Sequence, residues 1–163
     1  MTEDNDGQPG AVLAREWRET REALLALVEK LPETRASRNT DRPGWTLKHE
    51  LAHLASLDEE LRHFLDSARA GLHDHDGLHH EALGLRRVRG QAMHAAQEMR
   101  LARLREHLAT AGETTADAIE GAGEVLGACV HIGSAEGPSL EDVVRERLER
   151  ARQSLALFRE QLG

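Results

Sequence analysis

The sequence predicts an all-α protein, an antiparallel four-helix bundle, and three observations carry that prediction. Its apolar residues are mostly Leu and Ala, with no Tyr and only Trp17, Trp45, Phe64 and Phe158 as aromatics. Strands favour aromatic and β-branched side chains, whereas helices favour this alphabet. Apolar residues return in steps of three and four along four separate segments, which sets them on one face of a helix. The strongest breakers, Pro32, Pro43-Gly44, Gly71 and Pro138, fall between those segments. Four long helices, each with one stripe to cover, solve that problem by packing on one another. A chain of 163 residues makes one domain, placed at residues 10–163 behind a disordered lead at residues 1–9.

The first helix spans residues 11–31, with Leu13, Trp17, Leu24, Leu27, Val28 and Leu31 on one face and Thr20 taking the missing step. Pro32 stops it, and the polar segment after it contains a Pro43-Gly44 pair that marks a turn. Thr46 is the expected N-cap of the second helix, which runs to about Ala70 through Leu47, Leu51, Leu54, Leu57, Leu61, Phe64 and Leu65. Gly71 ends it, and LHDHDGLHH reads as a loop. A third helix is expected from about Glu81 to about Ala111, through Met93, Met99, Leu101, Leu104 and Leu108, with Gly90 as a potential break. Gly112, Gly121, Gly123 and Gly127 then punctuate a connector in which VLGACVHIG reads as a short extended piece. Ser139 caps the last helix, and Glu141 and Asp142 in its first turn suit the helix dipole.

Composition excludes several classes of function. The chain has 29 acidic and 21 basic residues, a formal charge of −8. That opposes general nucleic-acid binding, which needs unopposed cations; the Arg86-Arg87-Val88-Arg89 run reads as a solvated helix face. Cys129 is the only cysteine, so there is no internal disulfide, and a reducing compartment fits. It reads as an inert thiol. No apolar run approaches the ~20 residues of a membrane span, and the N-terminus lacks the apolar core of a signal peptide. A cytoplasmic location is the expectation.

Ten histidines are the most conspicuous chemical feature. His49, Glu50 and His53 form HELAH, the H-E-x-x-H pattern of zinc peptidases. Two histidines four apart share one helix face and can meet one ion. The peptidase reading fails directly after His53, where LASLDE brings neither the glycine nor the third histidine of one such family. A strand to hold an extended substrate is also missing. A metal site inside a bundle is the better use of His53, which flanks Leu54 and Leu57, with ligands drawn from facing helices. The plainer reading makes it a hydrogen-bonded histidine at the core margin, and His49 an exposed one. His73, His75, His79 and His80, with Asp74 and Asp76, read as a polar loop able to chelate divalent ions without specificity.

Residues 43–54, PGWTLKHELAHL, resemble the start of the second helix in the DinB-like superfamily, which includes the N-terminal domains of mycothiol-dependent maleylpyruvate isomerases. Trp45, Thr46, Leu47 and His53-Leu54 carry the resemblance, and the order of elements extends it over most of the chain. It implies a four-helix bundle, a homodimer and a divalent metal (Zn, Ni or Mn) with three ligands, one of them at the position of His53. It also implies a low-molecular-weight thiol as cofactor, bound to that metal, and a thiol-dependent transferase or isomerase activity. In the family, two further ligands lie in the last helix as His-x-x-x-His or Glu-x-x-x-His. The positions here are Glu146 with Arg150, or Arg150 with Ser154, and an arginine cannot ligate a metal.

That substitution leaves two readings. In one the metal site is degenerate, Arg150 pairs with Glu146, and Arg150 binds a small anionic ligand; such a bundle could equally be non-catalytic and serve a protein partner. In the other His53 keeps a metal with Glu146 and His49, or with Glu60 or a loop histidine such as His79 or His80. The missing histidine in the last helix favours the first.

Overall fold

The structure, a computed structural model, describes residues 8–71, 78–79, 85–132 and 135–162. Among the described residues six α-helices carry it: α1 (Pro9–Val28), α2 (Glu33–Ala36), α3 (Leu47–Arg69), α4 (Leu85–Glu98), α5 (Leu101–Glu120) and α6 (Leu140–Leu162). Three short strands, β1 (Leu78–His79), β2 (Cys129–Ile132) and β3 (Ala135–Ser139), form one sheet in that order. β1 runs parallel to β2, and β2 runs antiparallel to β3. The all-α prediction therefore holds, with the extended piece anticipated around VLGACVHIG as part of a small sheet at one end.

The helix boundaries obey local chemistry. Pro9 opens α1, where its missing N–H costs nothing, so helix begins inside the expected lead, whose first seven residues lie outside the described ones. Thr46 caps α3 as expected, its hydroxyl accepting from the His49 backbone N–H. Gly71 comes next with φ of 75°, a backbone state that glycine adopts without strain. Ser139 accepts from the Asp142 N–H at the start of α6.

The third expected helix is two helices. The break falls at Met99-Arg100 rather than Gly90, and α5 runs on through Gly112 to Glu120. Glu33 of α2 explains the first departure: its carboxylate accepts from the Leu101 N–H at 2.5 Å, placing an anion at the positive end of α5. Arg21 explains the second. A Cβ on Gly112 would lie 2.7 Å from the Arg21 Cγ, so this glycine admits a side chain from α1 and does not end a helix.

α1 and α5 are antiparallel, since Arg18 reaches Asp117 while Arg105 reaches the Glu29 carbonyl. α3 and α6 are antiparallel too, Glu50 meeting Ser154 and Glu60 meeting Arg147. α4 packs along α3. Burial falls into two apolar clusters. One joins Leu13, Trp17, Phe64, Leu65, Ile119 and Val144; the other joins Leu24, Leu51, Leu54, Leu104, Leu108 and Phe158. Between them along the chain of α1, α3 and α5 sit Arg21, Asp58 and Thr115, all buried. Arg21 grips Asp58 through both carboxylate oxygens, at 2.6 and 3.0 Å, and donates to the Leu108 carbonyl at 2.8 Å. Burial pushes the Asp58 carboxyl above its ordinary value, against the opposing pull of Arg21.

Removing one partner of such a pair leaves a buried charge without compensation. Asp58→Ala is expected to lower unfolding stability by about 3–5 kcal/mol, measured by urea denaturation. The double change Arg21→Leu with Asp58→Leu should recover more than half of that loss.

Candidate functional site

α3 carries a polar stripe on the face opposite Asp58. Glu50, His53 and Glu60 recur along it at three- and seven-residue steps, and they face Ser154, Arg150 and Arg147 of α6. Helical spacing puts each set on one side of its helix. Antiparallel packing then brings the two sets together rung by rung.

At one end of this seam, Glu50 is buried and fully engaged. Ser154 Oγ donates to its Oε1 at 2.6 Å, and Trp45 Nε1–H donates to its Oε2 at 2.7 Å. Arg150 Nη2 lies 2.9 Å from the same Oε1, and its Nη1 donates to Ser154 Oγ at 3.4 Å. Burial alone would raise the Glu50 carboxyl. The hydrogen bonds from Ser154 and Trp45 and the charge of Arg150 outweigh it, and the group is held below its ordinary value. At the other end, Glu60 is buried, bonded to Arg147 and 3.6 Å from Arg89 Nε of α4.

His53 stands between these ends. Its ring meets Trp45 edge-on at 5.9 Å between centroids. Nδ1 is enclosed without a hydrogen-bond partner, although the residue as a whole is half-buried. Burial first, and then the charge of Arg150 with smaller effects from Arg89 and Arg147, lowers its pKa; Glu50 opposes them. The imidazole is therefore neutral near pH 7.

His49, the other histidine of HELAH, has a different task. Its Nδ1 accepts the Thr46 backbone N–H at 3.0 Å, completing a capping box with the Thr46 hydroxyl, and its ring stacks on Trp45 at 5.5 Å. With Nδ1 accepting the backbone N–H, the lone pair of that nitrogen is committed to the helix cap and not offered to a metal. Glu146 is exposed on α6. The pairing expected between Arg150 and Glu146 is replaced by Arg150 on Glu50, because the guanidinium turns inward to a buried carboxylate that needs it. Among the described residues, no three His, Cys, Asp or Glu side chains converge to hold a metal ion. The side chain of His79 and the remaining loop histidines, His73, His75 and His80, lie outside the described residues. Cys129 is half-buried and free in β2.

The stripe had a signal in the sequence: polar residues at helical steps on both α3 and α6. In the sequence alone those positions carry other meanings, Glu50 as part of the H-E-x-x-H pattern and Arg89 as part of an arginine run, and nothing marks Arg147.

Residues 17–151 match a family described as the mycothiol maleylpyruvate isomerase N-terminal domain. The fold is similar to the crystal structure of the mycothiol-dependent maleylpyruvate isomerase, with a TM-score of 0.71 and 12% sequence identity. The similarity covers 99% of this chain and 64% of that one, so this chain spans less than two thirds of that protein's length. At this identity the likeness is one of fold. No curated protein sequence matches the chain. No helix among the described residues is long and apolar enough to cross a membrane.

The lowered pKa of His53 has a consequence for stability. Its ordinary value is 6.5; below that pH the unfolded chain binds a proton that the folded one refuses, so stability falls as pH falls. Between about pH 7.5 and 5.5, the wild-type protein should lose more stability than His53→Gln, as read from denaturation midpoints at each pH.

Proposed function

The chain belongs to the mycothiol maleylpyruvate isomerase N-terminal domain family, and on that footing we propose that it binds a low-molecular-weight thiol compound around His53 without a resident divalent metal. The thiol part of this reading rests on the family and on the name of the structural relative. The metal part rests on one observation: Arg150 is clamped on Glu50 beside Ser154, at helix positions where the family resemblance calls for ligands. A guanidinium has no lone pair to give and keeps its charge at any ordinary pH. It repels a divalent cation and occupies the carboxylate that could have served one.

The same substitution leaves the site able to handle a thiol. A positive charge beside a bound sulfur favours the thiolate over the thiol, as a metal does, though by a weaker and purely electrostatic effect. The neutral imidazole of His53 adds a hydrogen-bonding group that does not compete for that negative charge. A thiol transfer or isomerisation of the kind named for the relative would proceed from such a thiolate. Assembly as a homodimer belongs to the same proposal, and sedimentation equilibrium reads it directly.

Metal content separates this reading from a metalloenzyme. Untagged protein equilibrated with zinc, nickel or manganese and then desalted should carry no stoichiometric metal by mass spectrometry, and His53→Ala should not differ. Restoring the family's ligand pair with Arg150→His and Ser154→His should produce zinc uptake that His53→Ala abolishes in turn. Stoichiometric zinc in the unaltered protein, lost in His53→Ala, would overturn the metal-free reading.

A further inference from the structure

The side of the bundle away from the α3–α6 seam carries an open groove. α1 packs on α5 and α6, and α3 packs on the same two helices, so the groove between α1 and α5 lies across the bundle from His53. It holds about 650 Å³. Leu25 and Ala26 of α1 and Ala109 of α5 give it apolar walls, and none of the three is fully buried. About three turns of α1, some 16 Å, separate Arg18 at one end from Glu29 at the other. Charge along the groove is one-sided. Its arginines are committed: Arg18 bonds Glu113, Asp117 and Glu120, Arg105 donates to the Glu29 and Leu31 carbonyls, and Arg21 beneath holds Asp58. Its carboxylates are not. Glu22 and Glu29 are exposed and meet no cation among the described residues, and Glu106 has the exposed Arg103 at 4.0 Å.

We propose that this groove seats a helix of a partner protein, one with apolar residues at three- and four-residue steps and Lys or Arg on either flank. The two walls are helices, whose backbone groups are paired internally, so there is no strand edge to extend and recognition has to come from side chains. A helix laid along the groove sets its apolar residues between Leu25, Ala26 and Ala109. Its flanking cations meet Glu22 and Glu29 on one wall and Glu106 and Glu113 on the other. Charge of this sign disfavours the other occupants. It repels a phosphate backbone and an anionic lipid surface, and a second copy docked by the same face would set these carboxylates against one another. The arginine-rich α4 of a second copy is no substitute, because its Met93, Ala96 and Met99 are already packed into the core of its own bundle. The surface is separate from the site around His53 and does not depend on a thiol binding there.

The probe is a synthetic peptide of about fifteen residues, a length at which an isolated helix is only marginally stable, with leucines along one helical face and lysines on its flanks. Fluorescence anisotropy against untagged full-length protein at physiological salt should give saturable one-to-one binding, and circular dichroism should show a gain of helix in the mixture. Ala109→Arg, which fills the groove and adds a like charge, should weaken binding about tenfold, and so should Glu22→Lys with Glu29→Lys. Glu98→Lys with Glu149→Lys, the same change in charge at exposed positions on α4 and α6, should bind within about twofold of the wild type. A peptide of the same composition with its leucines scattered should bind about tenfold more weakly. Melting curves establish that each variant is folded, and the alanine and glutamate variants read the groove separately, so either one suffices. Equal binding of the scattered peptide, undiminished binding by the groove variants, or an equal loss in Glu98→Lys with Glu149→Lys would overturn the proposal. So would a homodimer in sedimentation equilibrium that Ala109→Arg splits, since a second copy would then cover the groove.

Discussion

The buried Arg21–Asp58 pair is the constraint on which the arrangement of helices turns. It joins α1 to α3 and, through the Leu108 carbonyl, α1 to α5. It lies between the two apolar clusters, and both flanking sets of leucines keep their places only in the register that the pair enforces. Attraction between its charges is large in the interior, but so is the cost of removing them from water, and the net gain in stability is small. Its effect is on register. A helix slipped by one turn would bury two uncompensated charges, which no rearrangement of leucine side chains can offset. Gly112 shows how closely α5 has been fitted to this pair, since even a methyl group there would collide with the Arg21 side chain.

With Asp58 fixed toward α1 and α5, helical geometry directs Glu50, His53 and Glu60 to the other side of α3. The site is in that sense a by-product of the register. Its chemistry is then set by the side chains that α6 presents. A metal would ask the surrounding side chains for lone pairs, and the histidine and carboxylates could supply them. A guanidinium asks for the reverse, acceptors for its N–H groups. Once Arg150 is present, Glu50 accepts hydrogen bonds from Ser154 and Trp45 and pairs with the charge of Arg150. That explains how the carboxyl can be buried and still hold its proton less tightly than in water. His53 gains nothing comparable, and its imidazole is left neutral among cations.

The fold was legible in the sequence wherever one rule decided the outcome. Thr46, Gly71 and Ser139 mark ends that local hydrogen bonding and backbone strain determine, and all three stand where expected. The split between α4 and α5 was not legible, because its cause is a carboxylate 68 residues away in sequence. Gly112 misled for the same reason: a glycine that breaks a helix and a glycine that admits a neighbouring side chain look alike until the neighbour is known. The site was half legible. His53 and Arg150 stand out at helical positions, but which carboxylate Arg150 meets depends on the pairing of α3 with α6. An exposed partner four residues away on the same helix was the natural expectation; the buried one across the interface has the greater need of the charge.

HELAH illustrates how a motif can be real in spacing and empty in its usual meaning. A three- or four-residue step in a helix brings side chains to neighbouring positions whatever they do there. His49 lies in the first turn and uses its ring to close the cap that starts α3. Glu50 and His53, within a turn of it, point into the seam and face α6. The two histidines are thus drawn to different tasks by their depth in the same helix, one by unpaired backbone N–H groups and the other by the neighbouring guanidiniums. A zinc site needs both rings with free lone pairs on one ion. Here the cap holds one ring by the nitrogen that would have to be protonated for the other to ligate, and satisfying the helix terminus is enough to exclude the peptidase geometry.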